Sequence, residues 1–237
     1  MLTVRASSVK AYNRCPRLWR AQYIDGLRSP DTGATARGTA LHRIQELWLR
    51  DGIAPHDTPR VHPQHDALVE LAHKGHEYLP APGTCRVEDK WTLPLIDGAV
   101  AHGTIDCWDG SSHIWDHKTT SNIVKWALTK RTLPHDAQAI MYAWRALQAG
   151  AQGPIALRWV YYQSSPARVV PVDATLSRDQ IMARMRDIIL VAQAMLRDSA
   201  RYADWLDTPA RVGDEACYRY NGCHLLPYCM RAKEALL

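Results

Sequence analysis

Three observations predict an α/β fold, a central mixed sheet flanked by helices, for this 237-residue chain. The stretch Gly103 to Lys118 reads as two short strands around Asp109-Gly110, a strong hairpin-turn dipeptide, with Val100, Ile105, Trp108, Ile114 and Trp115 as flanking apolar or β-favouring residues. Further strand-like runs at 86–95, 155–163 and 168–172 are separated by segments whose apolar residues recur at helical spacing. Hydrophobic residues make up 46% and charged residues 22% of the chain, a balance and a length sufficient to bury a sizeable core, so a single domain over 1–237 is expected.

The elements follow in order. Ser7 and Ser8 are placed to cap a first helical turn, and Pro16 to open a helix reaching about Tyr23. Asp25 to Ala34 is rich in turn residues, and Thr35 to Arg50 is a helix with Leu41, Ile44, Leu47 and Trp48 as its apolar stripe. His42 lies beside that stripe, where a histidine taken alone would be a satisfied core residue. Gly38 precedes it by one turn; a helical glycine costs about 1 kcal/mol against alanine, so it marks the close approach of another backbone or a ligand. Residues 52–65, with three prolines, form a surface connection to a helix from about Gln64 to Tyr78. His62, His65, His73 and His76 have no acidic or thiol partner at a recognisable metal spacing and are expected to be solvated.

After Lys118, Asn122 caps a short helix through Ile123, Trp126 and Leu128 that ends at Lys130-Arg131. Pro134 opens a longer helix to about Ala149, on which Gln138 and Tyr142 share one face. A long amphipathic helix runs from about Arg178 to Tyr202.

Two groups of residues carry chemistry. Asp106 and Asp116 can face each other across the hairpin, and Lys118 projects from the same strand face as Asp116 because side chains alternate with period two. Paired carboxylate oxygens are what Mg²⁺ or Mn²⁺ prefers, so Asp, Asp and Lys form one constellation. Glu88, on the 86–95 strand, could add a carboxylate to the centre, although a single Glu on a strand reads first as part of its polar face. Cys217, Cys223 and Cys229, with Gly222 and Pro227 for turns, look like ligands on a compact loop, and Cys15 makes a fourth. Disulfides are one alternative, disfavoured in a reducing compartment; zinc is another, although its usual C-x₂₋₄-C step is absent. Cys85 and Cys107 read as packing residues.

No apolar run approaches the roughly 18 residues needed to span a bilayer, which excludes a membrane protein. Met1 to Lys10 lack an apolar signal core, so a cytoplasmic protein with reduced cysteines is expected. The net charge of +5 suits a polyanion partner, but many enzymes of small anions share it.

Four short motifs in this order, Gly38-x-x-x-His42, Gly103-x-x-Asp106, Asp116-x-Lys118 and Gln138-x-x-x-Tyr142, resemble the motif set of RecB-type nucleases of the PD-(D/E)XK superfamily, with its restriction-endonuclease-like core. Ser8-x-x-x-Tyr12-x-x-Cys15-Pro16 and the C-terminal cysteines resemble the branch that carries a 4Fe–4S cluster, as in AddB nuclease domains and CRISPR-associated RecB-like exonucleases. The likeness runs from Ser7 to Cys229. It implies that His42, Asp106, Asp116 and the backbone carbonyl of His117 hold Mg²⁺ or Mn²⁺, that Lys118 positions or activates the attacking water, and that Gln138 and Tyr142 orient the DNA strand. Cys15, Cys217, Cys223 and Cys229 would hold the cluster, joining residues 1–30 and 205–237 beside a nuclease core of 31–204. Arg37, Lys125, Lys130 and Arg131 flank the motifs and could track a phosphate backbone, although each taken singly reads as an ordinary surface charge; Trp126 and Tyr142 could stack on unpaired bases, with core packing the stronger reading for Trp126. The chain departs from the pattern at His117, where a bulky apolar residue is commoner, and in its cysteine spacing, where a C-x₂-C step is commoner.

The activity implied is metal-dependent DNA cleavage, exonucleolytic, on single strands or ends. A non-catalytic DNA-end-binding subunit is the alternative, against which the intact Asp116-x-Lys118 argues, and a zinc-stabilised interaction module is a third reading. The length leaves no room for a helicase, so unwinding would fall to a helicase, recombinase or CRISPR-adaptation partner in repair, recombination or adaptation.

Overall fold

The structure, a computed structural model, describes residues 1–27, 33–218 and 222–229. Part of the turn-rich stretch expected over 25–34, and residues 230–237 of the C-terminal segment, lie outside them. Along the chain the elements are β1 (Leu2–Val4), α1 (Ala6–Arg14), α2 (Pro16–Tyr23), α3 (Gly33–Asp51), α4 (His65–Gly75), β2 (Arg86–Ile96), β3 (Ala99–Trp108), β4 (His113–Thr120), α5 (Ile123–Trp126), α6 (Ala137–Gln148), β5 (Ile155–Ser164), β6 (Ala167–Leu176), α7 (Arg178–Arg201) and α8 (Asp214–Cys217). They fall into two compact units, one of Met1–Pro30, Thr92–His102 and Arg186–Leu237, the other of Asp31–Trp91 and Gly103–Met185.

In the first unit β1 pairs in parallel with the start of β3, Leu2 opposite Ala99 and Val4 opposite Ala101. Helix α1 starts at Ala6, ahead of the expected serine cap. Ser8 lies inside its first turn, where its hydroxyl accepts the Arg5 N–H at 2.8 Å. Pro16 does open α2, where its missing N–H leaves nothing unsatisfied. Two arginines of α2 secure the C-terminal segment. Arg20, 5% exposed, donates to the carbonyls of Ser199 and Ala203, and Arg17 donates to those of Leu206 and Thr208.

The second unit holds the mixed sheet. β3 and β4 are antiparallel, with Cys107 opposite Trp115; β4 and β5 are parallel, with Asp116 opposite Trp159; β5 and β6 are antiparallel. A parallel neighbour needs a crossover, and α6 supplies it between β4 and β5. Alternation along β5 turns Val160 and Tyr162 toward α3 and α4, where Leu41, Ile44, Leu68 and Ala72 complete one core. The opposite face of the strand meets α6 through Trp159 and Tyr142, whose rings lie 6.3 Å apart. Among the described residues, no helix is long and apolar enough to cross a membrane.

Two elements end elsewhere than their residues suggest. Asn122 caps α5 by accepting the Lys125 N–H, but α5 stops at Trp126 rather than reaching Lys130. The helix expected from Pro134 begins at Ala137, because the Asp136 carboxylate accepts the N–H groups of Gln138 and Ala139 as its N-cap, and Pro134 stays in a short 3₁₀ turn.

The histidines of the 62–76 stretch are not all solvated. His65 is 3% exposed, and His76 stacks on Trp48 with ring centroids 3.7 Å apart. Burial, helped by the neighbouring His73, lowers the His76 pKa to about 4. Its folded pKa lies below the unfolded value of about 6.5, so the unfolded chain binds the extra proton and stability falls as pH drops from about 6.5 toward 4. His76 is only half buried, so the effect is discounted to about 1–2 kcal/mol. His76→Phe keeps the stack, and denaturant titrations at pH 7 and pH 5 should show a smaller stability difference than in the parent. An unchanged difference would place the acid sensitivity elsewhere.

Candidate functional site

The site is built on β4. Its ladder with β3 runs through Trp108–Ile114 and Cys107–Trp115, and two residues further along β4 side chains replace the strand partner. The His117 N–H donates to Asp106 Oδ2 at 2.8 Å, and the His117 carbonyl lies 2.8 Å from His42 Nε2. His42 Nδ1 is in turn 3.6 Å from Asp106 Oδ2. Asp106, His42 and the backbone N–H and C=O of His117 on β4 thus form a closed ring of contacts.

Both motif glycines serve packing here. A Cβ on Gly38 would meet Thr119 Oγ1 at 2.9 Å, so only glycine lets α3 come close enough to β4 for His42 to reach its backbone. A Cβ on Gly103 would lie 2.7 Å from the Trp91 ring.

Period-two alternation sends Asp116 and Lys118 to the α6 face of β4 and His117 to the α3 face. The Lys118 ammonium touches Asp116 Oδ2 and donates to Gln138 Oε1 at 3.0 Å. The Gln138 amide donates to Asp116 Oδ1 at 2.9 Å and to the Tyr142 hydroxyl at 2.7 Å, and that hydroxyl donates to the Thr104 carbonyl on β3. The i, i+4 spacing of Gln138 and Tyr142 on α6 therefore braces one acid, one base and the neighbouring strand. Tyr142 is 5% exposed and committed to this network, so it is not available to stack on a base. His117 is buried among His42 and Tyr162, and its Nε2 has no hydrogen-bond partner.

Electrostatics follow from burial and the two neighbouring acids. Burial, then the charge of Asp116, holds the Asp106 carboxyl well above its usual range. Burial alone would depress Lys118, but Asp116 and Asp106 outweigh it and raise the ammonium's pKa, so it stays charged at neutral pH. Burial, then the neighbouring His42 and the Lys118 charge, depress the His117 imidazole far below its ordinary value, and it packs as a neutral ring where an apolar residue would serve. Burial and the same two carboxylates push the Tyr142 phenol up.

Glu88 completes the arrangement. Its φ of 53°, in the left-handed region, breaks the regular run of β2. Its carboxylate, His42 and Asp106 have ligand atoms within 4.8 Å of one another, the one such set among the described residues. Imidazole nitrogen, carboxylate oxygens and a backbone carbonyl suit a hard divalent cation such as Mg²⁺ or Mn²⁺, and a cation there would relieve the like-charge crowding that raises Asp106. Asp116 stands outside that set, its oxygens held by Gln138 and Lys118. A cleft of about 810 Å³ lined by Gly38, His42, Glu46 and Glu88 opens onto it. In the sequence Glu88 sits between the charges of Arg86 and Lys90 and reads as polar face or further carboxylate; its left-handed backbone and its grouping with His42 and Asp106 put it beside the centre.

Of the remaining candidates, Arg37 is half-buried on α3, and Lys125, Lys130 and Arg131 are exposed after β4. Cys107 is fully buried in the core, and Cys85 is partly buried beside it, with its pKa lowered by hydrogen bonding to the Cys107 thiol.

The first unit brings the other four cysteines together. Cys15, Cys217, Cys223 and Cys229 are free thiols lining one cavity of about 140 Å³ with Leu18, Ala210 and Leu225. The Arg211 N–H points at Cys15 Sγ (3.4 Å) and the Arg17 guanidinium at Cys229 Sγ (3.5 Å). Burial, with smaller contributions from Cys229 and Cys15, raises the Cys223 pKa. Four ligands on one zinc ion would hold their sulfurs about 3.8 Å apart, since Zn–S is about 2.3 Å in a tetrahedron. Among the described residues no three of these sulfurs lie within 4.8 Å of one another. Four thiols on one cavity are a donor set that would suit either zinc or an iron–sulfur cluster.

No curated protein sequence matches the chain closely enough to count as a relative. A crystal structure from Eubacterium rectale, described as that of a "Putative exonuclease", aligns over 96% of this chain and 86% of its own, with a TM-score of 0.59 and 14% identity, a likeness of fold. A second crystal structure, described as SSO0001, aligns over 86% and 78% at a TM-score of 0.42 and 16% identity, too distant to carry an argument. Residues 3–94, which contain His42 and Glu88 but end before β3, match the sequence profile of the PD-(D/E)XK nuclease superfamily.

Proposed function

We propose that the protein is a metal-dependent deoxyribonuclease that hydrolyses phosphodiester bonds, acting as an exonuclease on unpaired strands or DNA ends. The observation that carries this is the Lys118 ammonium, held charged by Asp116 and Asp106 and oriented by Gln138, next in the chain to His117, whose carbonyl joins a set of imidazole and carboxylates. The superfamily match over residues 3–94 supports the same reading.

His42, Asp106, Glu88 and the His117 carbonyl, with Asp116 beside them, would hold Mg²⁺ or Mn²⁺, which supplies Lewis-acid charge to the phosphate and acidifies a water. Lys118 donates to the attacking water or to a phosphate oxygen, and its pairing with Asp116 keeps the proton on the ammonium until charge develops. Gln138 fixes both partners of that pair, and Tyr142 anchors Gln138 to β3. The cysteine cavity, in this reading, takes a 4Fe–4S cluster on Cys15, Cys217, Cys223 and Cys229, with the Arg17 and Arg211 N–H groups as donors to sulfur. Residues 1–237 then act as one nuclease domain in the cytoplasm, and a helicase, recombinase or CRISPR-adaptation complex supplies unwound DNA.

The test is digestion of end-labelled single- and double-stranded DNA with Mg²⁺, Mn²⁺ or EDTA, on protein purified without oxygen. Metal-dependent loss of label from ends is expected; no cleavage with either metal would reject the proposal. Gln138→Ala should lower the single-turnover rate at saturating DNA about 100-fold while Kd changes little, since a misplaced acid–base pair costs orientation rather than grip. Tyr142→Phe should show a smaller loss of the same kind. A loss confined to Kd would mean that the pair only holds DNA.

A further inference from the structure

Residues 119–137 leave and return at the candidate site, because Lys118 at one end donates to Gln138 at the other. The frame of this excursion is fixed from beneath. Ile123 is buried and its N–H donates to Gln163 Oε1 at 2.7 Å, the Leu128 N–H donates to the Tyr161 hydroxyl at 3.0 Å, and Leu133 is fully buried.

On that fixed frame two large apolar side chains face outward. Val124 is 84% exposed and Trp126 36% exposed, although Ile123 beside them shows that the turn can bury an apolar residue. The charges carried by residues 121–134 are of one sign: the Lys125 ammonium lies 4.6 Å from the Trp126 ring centre, Lys130 and Arg131 are exposed, and no acidic residue occurs between Ser121 and Pro134.

We propose that the turn around Val124 and Trp126 is a stacking platform for the bases of an unpaired strand, whose phosphates meet Lys125, Lys130 and Arg131. In a duplex each base face is covered by its neighbours, so an indole and an isopropyl group on a rigid, cationic rim select for unpaired bases, which present a free π-face. The loop's two ends carry Lys118 and Gln138, so a base held there places its strand at the site, and this sets the substrate class as a single-stranded end. The link to cleavage rests on the nuclease reading; the binding preference does not.

The test compares the parent protein with Trp126→Ala, Val124→Ser and Trp126→Tyr, measuring fluorescence anisotropy of labelled oligothymidylate and of a blunt duplex in EDTA. Stacking is worth about 1–3 kcal/mol per base, so Trp126→Ala should bind the single strand about tenfold more weakly. Val124→Ser should fall between it and the parent, Trp126→Tyr should keep most of the affinity, and duplex binding should stay within about twofold. In a strand carrying 2-aminopurine, the quenching produced by the parent should be absent with Trp126→Ala. Unchanged single-strand affinity, or equal losses for strand and duplex, would overturn the proposal. So would equal losses in Trp126→Ala and Trp126→Tyr. An Asp116→Ala protein that still cut DNA would remove the nuclease assignment and leave this binding result standing.

Discussion

Asp116→Ala is expected to abolish DNA cleavage, by on the order of 10³-fold or more, while DNA binding stays within a few-fold. The Asp116 side chain is fully buried and touches the Lys118 ammonium and the Gln138 amide, so its loss unseats both the group assigned to the attacking water and the amide that orients it. Lys118→Ala should be as inactive but less stable. It leaves a buried carboxylate without its cation, an omission that costs about 3–5 kcal/mol in comparable pairs. The two variants are therefore separable: equal loss of activity, unequal loss of denaturation midpoint. Undiminished hydrolysis by rigorously purified Asp116→Ala protein would remove the proposed centre.

Replacing any one of Cys15, Cys217, Cys223 or Cys229 with alanine should bleach the protein, lower its iron content and destabilise it. Among the described residues the cavity these thiols line offers no other thiol, imidazole or carboxylate to hold a cluster, and loss of a structural metal group is among the few mechanisms that reach about 4 kcal/mol. For a chain of this size that is a fall in Tm of roughly 8–16 °C. The carbonyls held by Arg17 and Arg20 also secure the C-terminal segment, so lowered stability rather than complete unfolding is expected. Cys85→Ser and Cys107→Ala should keep the colour. Elemental analysis of anaerobically purified protein decides the matter: zinc without iron would reject the cluster and leave the nuclease centre unaffected.

What the sequence determined by itself was local. Alternation placed Asp116 and Lys118 on one strand face, Asp109-Gly110 marked the turn between β3 and β4, and Pro16 marked the start of α2, because each depends on a few neighbouring φ/ψ choices. Helical spacing likewise put Gln138 and Tyr142 on one face of α6. Even locally, signals compete: Pro134 marks a helix start, but the Asp136 carboxylate, able to accept two backbone N–H groups, sets the boundary of α6. What only the tertiary structure decided depends on residues far apart in the chain. The partner that makes Gly38 necessary is Thr119, and the ring of His42, Asp106 and His117 exists because side chains take over where the β3–β4 ladder gives way. Glu88 joins that ring through a left-handed backbone that no residue pattern announces, and His76 leaves water because Trp48, 28 positions earlier, lies flat against it. Such contacts join side chains through space, and spacing along the chain carries no record of which distant surfaces will meet.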